Sequence, residues 1–310
     1  MRRTRIDNAG HIERLTVQEA ANRFIKHCRV KNLSPQTIKY YTEDCEYFAS
    51  RSGVDYIDEV NRETFEDFIF QEIENGKKVS SLNTRIRGLR VFFNFCAERD
   101  YMAGFKFDLL KQDKEIKEPY TDAELQRLLA RPRTTSWVEW RMWASVNYMV
   151  GTGNRISTVL NVKVRDVDFR ENTIRLTTMK NRRQQIIPLS KALKGVLRDY
   201  LKTWDYTIDD YLFPSYEGGQ LSRRAYQGAL ARYNVARGVS KTSAHLFRHT
   251  YAKNFVLAGG GMAQLQTLLG HSTMEMSRHY VILFLNKKLT YMHGCAIIVK
   301  GDDYGKEIRN

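Results

Sequence analysis

The sequence predicts a mainly α-helical protein with a small antiparallel β-sheet, arranged as a helical first part and an α+β second part. Three observations carry this. Apolar residues recur at three- and four-residue spacing from Thr16 to Met102 with few glycines. Residues 162–189 switch to short β-branched runs broken by polar turns. Between Ala103 and Glu118 the apolar pattern weakens and charges crowd into KQDKEIKEP, which separates the two parts. A chain of 310 residues is long enough for two cores.

Taken in order, residues 1–13 form a basic extension and 14–102 hold four helices. Ser34-Pro35 is the clearest start, because serine caps and proline suits the first helical position; Ile38, Tyr41, Cys45 and Phe48 then fall near one face. SSLNTRIRGLRVFFNFCAERDYM forms the last of the four, with Leu82, Ile86, Leu89, Phe92 and Phe93 inward and Arg85, Arg87 and Arg90 largely outward. Residues 103–119 read as a linker. A capped helix starts at Thr121 or Asp122, and helices continue to about Val150. The sheet follows, with turns at Asp168–Asn172 and Lys180–Arg183. Helices return after Ser190, another starts at Ser222, and SAHLFRHTYAKNFVLAG ends at Gly259–Gly261.

Composition narrows the function. Four scattered cysteines without a Cys-x-x-Cys pair argue against a zinc module or a disulfide scaffold and fit a reducing compartment. There is neither a signal-like apolar run nor a membrane-length one, so the expected location is the cytoplasm, with no membrane partner. The net charge of +15 attracts polyanions, nucleic acid first. Residues 1–117 carry only +2 of it and 118–310 carry +13.

Chemistry-bearing side chains gather in the second part: Arg155 in GTGNRIS, Lys180 in MKNRR, His245 and Arg248 in HLFRHT, His271 in LLGHS, and Tyr280 in SRHY. His245 and Arg248, three apart on a helix, share a face. His271 and Tyr280, nine apart, would lie on roughly opposite sides of one straight helix, so a turn must intervene if they cooperate, and Ser272-Thr273 can cap the next helix. His249, one step from Arg248, is turned away from that face and reads as structural.

In this order and spacing the chain resembles the tyrosine recombinase, or phage integrase, family, including its Xer-like members. TGNRISTVLNVKVRDVDF resembles the family's first box and places its arginine on Arg155; the hairpin lysine falls on Lys180, eight residues before Pro188. Histidine-x-x-arginine falls on His245 and Arg248, leucine-glycine-histidine on His271, and the nucleophile on Tyr280, which spacing from His271 selects over Tyr291 and Tyr304. NLSPQTIKYY and LNTRIRGLRVFF resemble the helical core-binding domain. The resemblance thus implies a core-binding domain over 14–102, a catalytic domain over 120–280 and a tail over 281–310 that packs at home or on a neighbouring subunit.

The implied activity is site-specific DNA cutting and rejoining through a 3′-phosphotyrosine, without cofactor, metal or ATP. The side chains suit it. Two guanidinium forks, Arg155 and Arg248, match the charge that gathers on an attacked phosphodiester. A phenol with pKa ~10 needs cations and a proton acceptor such as His245 to activate Tyr280. Lys180 would protonate the departing 5′-oxygen, and the resemblance gives His271 a supporting hydrogen bond to the phosphate. Arg85, Arg87, Arg90, Arg182, Arg183, Arg223 and Arg224 are the expected DNA contacts. Further implications are a clamp around duplex DNA with specific sites, a monomer in solution, a tetramer on DNA, a Holliday-junction intermediate, and accessory bending or directionality proteins. The rival readings are a type IB topoisomerase-like nicking and closing activity and a catalytically silent DNA-binding regulator. Thr158 stands where an acidic residue often follows the first arginine, the usual Asn-Pro before the linker is absent, and the tail VILFLNKKLTYMHGCAIIVKGDDYGKEIRN is unlike the family's polar helix.

Overall fold

A computed structural model describes residues 14–112, 118–177 and 184–270. The chain divides into two compact units, Met1–Glu115 and Ile116–Asn310. The 1–13 extension, Lys180, Arg182, Arg183, His271, Tyr280 and the 281–310 tail lie outside the described residues.

Among the described residues the first unit holds four α-helices, α1 (Val17–Val30), α2 (Pro35–Arg51), α3 (Arg62–Glu74) and α4 (Val79–Ala97), with a 3-10 turn at Ile57–Glu59. Local chemistry fixes their starts. Thr16 and Glu19 form a reciprocal capping box on α1, Ser34 caps α2 with Pro35 at its first position, and Asn61 accepts from the Thr64 N–H of α3. The core is aromatic: Phe24, Phe48, Phe65 and Phe92 are at most 2% exposed and their rings meet tilted or edge-on, as at Phe48 and Phe68 (5.1 Å). The stretch expected to start the linker packs on this core instead. Phe105, Phe107 and Leu110 lie against it, Asn83 exchanges hydrogen bonds with the Leu110 backbone at 2.8 and 2.9 Å, and Arg90 donates to the Phe107 carbonyl.

One expectation for α4 needs correction. Arg85 is not outward: its guanidinium reaches the buried Asp44 carboxylate of α2 at 3.1 Å and lies 3.5 Å over the Tyr47 ring. Tyr47 in turn donates to buried Glu72 of α3, which Arg51 approaches at 3.5 Å. The chain of charge therefore runs through three helices and holds Arg85 in place. Arg87 is exposed, as is Arg90.

The second unit contains α5 (Asp122–Leu129), α6 (Trp137–Thr152), α7 (Ile156–Val159), α8 (Lys191–Leu201), α9 (Arg223–Ala236), α10 (Ala244–Leu257) and α11 (Met262–Leu269). Thr121, Ser190 and Ser222 cap α5, α8 and α9 through their hydroxyls. Strands β1 (Val167–Asp168), β2 (Thr173–Leu176) and β3 (Gln185–Pro188) form one antiparallel sheet in the order β1-β2-β3. The first turn is the predicted one: Asp168 Oδ1 accepts from the Arg170 and Glu171 N–H groups at 2.8 and 2.9 Å, and Asn172 takes φ 52°. Ile174, Leu176 and Ile187 face inward, and Pro188 sits on an edge strand, where its missing donor is tolerated. Tyr120, at the start of this unit, stacks on Phe247 of α10 at 4.5 Å, and its N–H donates to Thr250 Oγ1 at 3.0 Å.

Burial raises the Asp44 carboxyl to about 6 against the opposing pull of Arg85. A carboxyl raised by folding adds stability below its unfolded pKa and loses it as pH rises through its folded value. Urea unfolding of wild type and Asp44→Asn between about pH 4 and pH 7 is expected to show the deficit of the variant shrinking as pH rises. A constant difference would mean that Asp44 does not titrate in this range.

Candidate active site

The site is built on two helix ends. An α-helix leaves its last carbonyls without intrahelical partners and concentrates partial negative charge there. Helix α6 stops at Gly153, with φ 64°, and α11 stops at Gly270, with φ 59°; both are left-handed caps that glycine adopts without strain. At Gly153 a side chain is excluded twice over, because a Cβ there would stand 2.5 Å from Tyr251 Cδ1 and 2.8 Å from Leu269 Cδ2.

Arg248 joins these ends. It lies on α10 and is 2% exposed; its Nη1 donates to the Gly153 carbonyl at 3.0 Å and its Nη2 to the Leu269 carbonyl at 2.8 Å. Carbonyl dipoles from two helix C-termini stabilise the buried cation, each by up to ~2 kcal/mol in buried geometry. Arg155 follows α6 by three residues and is the N-cap of α7; its Nη1 donates to the Gly270 carbonyl at 3.4 Å. The two arginines predicted from separate motifs are thus brought together, on the consecutive carbonyls of Leu269 and Gly270.

His245, in the first turn of α10, is exposed. Its ring meets that of His249 edge-on, centroids 4.6 Å apart at 88°, so the residue read as structural packs directly on the predicted proton acceptor. Thr158, in the place of the expected acid, is 6% exposed, and its N–H closes the turn onto the Arg155 carbonyl at 2.8 Å. Arg223 and Arg224 are exposed in the first turn of α9.

Burial pushes the phenols of Tyr120, Tyr148, Tyr200, Tyr226 and Tyr233 upward, so these described tyrosines are core residues held neutral, unsuited to act as nucleophiles.

Sequence reasoning missed the supporting set: Gly153, Gly270, Tyr251 and Gln185. Gln185 Nε2 donates to the Thr267 and Leu268 carbonyls at 2.8 and 3.4 Å. A glycine just past each apolar helical run, in GTGNR and in LLGH, was the available signal for the two caps. The Gln185 contact is long-range, and no local pattern announces it.

The model of the phage integrase family matches residues 120–286. Among curated proteins, tyrosine recombinase XerC of Oceanobacillus iheyensis is 27% identical over 274 residues, covering 83% of this chain and 89% of the relative. Tyrosine recombinase XerD of Staphylococcus aureus is 25% identical over 277 residues, covering 86% and 93%. Among solved structures, the Tn1549 transposon integrase in complex with transposon right end DNA matches with TM-score 0.75 at 20% identity, over 89% of this chain and 99% of that one. A lambda integrase tetramer bound to a Holliday junction matches with TM-score 0.67 at 16% identity, over 84% and 78%. At these identities the structural matches establish a shared fold.

The geometry at Gly153 makes a stability prediction. Gly153→Ala is expected to cost ~2 kcal/mol or more in denaturant unfolding, from backbone strain and overpacking together. Gly195→Ala, in the interior of α8 with no atom near its would-be Cβ, should instead gain ~0.5–1 kcal/mol. Equal effects from the two substitutions would remove the special status of the α6 cap.

Proposed function

The chain belongs to the phage integrase family, and from that premise we propose how it works as a tyrosine-type site-specific DNA recombinase. Tyr280 is the nucleophile; its oxygen bonds to phosphorus while the bond from phosphorus to the 5′-oxygen breaks. The phenolic proton passes to His245, and the ammonium of Lys180 gives a proton to the departing 5′-oxygen. The product is a 3′-phosphotyrosyl linkage and a free 5′-hydroxyl. Because the linkage conserves the phosphodiester energy, attack by another 5′-hydroxyl rejoins the strand without ATP. His271 supports the phosphate through a hydrogen bond.

The observation that supports this reading best is the seating of Arg155 and Arg248 on adjacent carbonyls of one helix end. Two permanent cations held side by side repel each other and attract a phosphate whose equatorial oxygens gain charge during attack. Their positions are set before the substrate arrives, so little reorganisation is needed in the transition state.

DNA contacts are assigned to Arg87, Arg90, Arg182, Arg183, Arg223 and Arg224. Arg85, tied to Asp44, supports α4 and reaches a phosphate only by leaving that pair. The working form is a tetramer on two paired sites, passing through a Holliday junction, and accessory proteins set direction. The names of the structural neighbours, a transposon integrase and lambda integrase, favour integration or excision of a mobile element as the role. The reaction takes place in the cytoplasm, at the DNA.

Covalent trapping tests the nucleophile. Wild type and Tyr280→Phe are incubated with nicked duplexes spanning candidate element junctions, denatured, and the attached DNA is sequenced. An adduct formed by wild type and absent from Tyr280→Phe is expected. Arg155→Ala or Arg248→Ala should slow adduct formation by ~100-fold or more. Exchange between two trapped sites, as opposed to relaxation of supercoils alone, separates a recombinase from a topoisomerase-like enzyme. Tight binding to those junctions with no adduct would leave the silent regulator as the answer.

A further inference from the structure

Proton donation by Lys180 raises a positional problem. In sequence the residue falls between β2 and β3, two paired strands of only four residues each, and β3 is an edge of the sheet. A short edge strand is weakly held by pairing alone, yet the proton donor must meet the leaving oxygen at the moment of bond breaking.

Gln185 supplies a second anchor. It begins β3, pairs with Leu176 as the last pair before the turn, and is half-buried. Its amide reaches out of the sheet to the Thr267 and Leu268 carbonyls in the last turn of α11, at 2.8 and 3.4 Å. Carbonyls only accept, so the amide must present its NH2 group to them. Arg248 and Arg155 hold the next two carbonyls, Leu269 and Gly270. Four successive carbonyls of one helix end are therefore taken by three elements: the hairpin, α10 and the loop after α6. In sequence, Gln185 lies five residues after Lys180, and Gly270 immediately precedes His271.

We propose that Gln185 is a positioning residue that registers β3, and through the chain Lys180, against the helix end on which both arginines are seated. The inference rests on the recombinase reading above. Under it, the distance between the phosphate clamp and the leaving-group proton donor is set through the end of α11. Gln185 touches no substrate and acts through Lys180.

The test uses the leaving group. With oxygen at the 5′-bridging position, departure needs the Lys180 proton. With sulfur there, the departing thiolate is stable, its conjugate acid having a pKa of ~8.5, and the donor is dispensable. Single-turnover adduct formation is measured with the full chain on matched oxygen and sulfur duplexes of the trapped junction. The variants are wild type, Gln185→Met, Gln185→Arg, Lys180→Ala and the Gln185→Met/Lys180→Ala pair. Gln185→Met is expected to slow the oxygen substrate by ~10-fold or more and the sulfur substrate by less than ~2-fold. Gln185→Arg, which restores N–H donors, recovers most of the rate. In the Lys180→Ala background Gln185→Met costs nothing further. Equal slowing on both substrates, no slowing on either, or additive losses would overturn the proposal. If wild type forms no adduct on either substrate, the recombinase reading itself fails, and the inference falls with it. Thermal unfolding of each variant identifies any loss that comes from folding.

Discussion

The second unit depends on a buried guanidinium. Arg248 has 2% exposure, and its Nη1 and Nη2 donate to the carbonyls of Gly153 and Leu269. Burying a charge is costly unless dipoles or counter-charges replace the lost water. Here the ends of two helices supply the dipoles, and both helices must stop where they do for that supply to exist. The left-handed glycines are what stop them. A side chain at Gly153 would strain the turn and press on Tyr251 and Leu269, the residues that keep α10 and α11 close to α6. One electrostatic requirement thus fixes two helix lengths, two glycines and the packing between three helices.

The same arrangement makes the site a collection point. The last carbonyls of α11 draw Gln185 from the sheet, Arg248 from α10 and Arg155 from the loop after α6. Each group comes from a different stretch of chain, and none contacts its neighbours through local sequence. Carbonyls hold a cation through their dipoles and leave its full charge in place. Charge fixed in place beforehand is what stabilises a transition state that gains negative charge.

Much of this was legible in the sequence, for identifiable reasons. Helices α2, α5, α8 and α9 begin at Ser34, Thr121, Ser190 and Ser222, because a capping side chain and an apolar period are both local signals. The small antiparallel sheet followed from β-branched runs and an Asp168 turn, and the structure gives it three strands. Arg155, His245 and Arg248 were marked by motif order, and the fold brings both arginines to one helix end. What stayed hidden is non-local. Arg85 looked outward because its neighbours on α4 alternate with apolar residues, but its partner, Asp44, is 41 residues away on another helix. Phe105, Phe107 and Leu110 sat in a charge-rich stretch too irregular to show a period, yet three apolar side chains suffice to anchor it to an aromatic core. Gln185 gave no local sign because its partners are 82 and 83 residues downstream.

The charge distribution gains a structural meaning from these pairings. In the first unit arginines are spent internally: Arg14 on Asp58 and Glu59, Arg51 on Glu72, Arg62 on Glu66 and Arg85 on Asp44. That agrees with a net charge of only +2 over residues 1–117. Exposed cations remain there, among them Lys39, Lys78 and Arg87, but residues 118–310, at +13, carry most of the net charge that sets the long-range field. Backbone neutralisation releases counterions and weakens with salt in proportion to the phosphates contacted. The polar chain of Arg85, Asp44, Tyr47, Glu72 and Arg51 ties α2, α3 and α4 together, so in the first unit these arginines serve the packing of the helices.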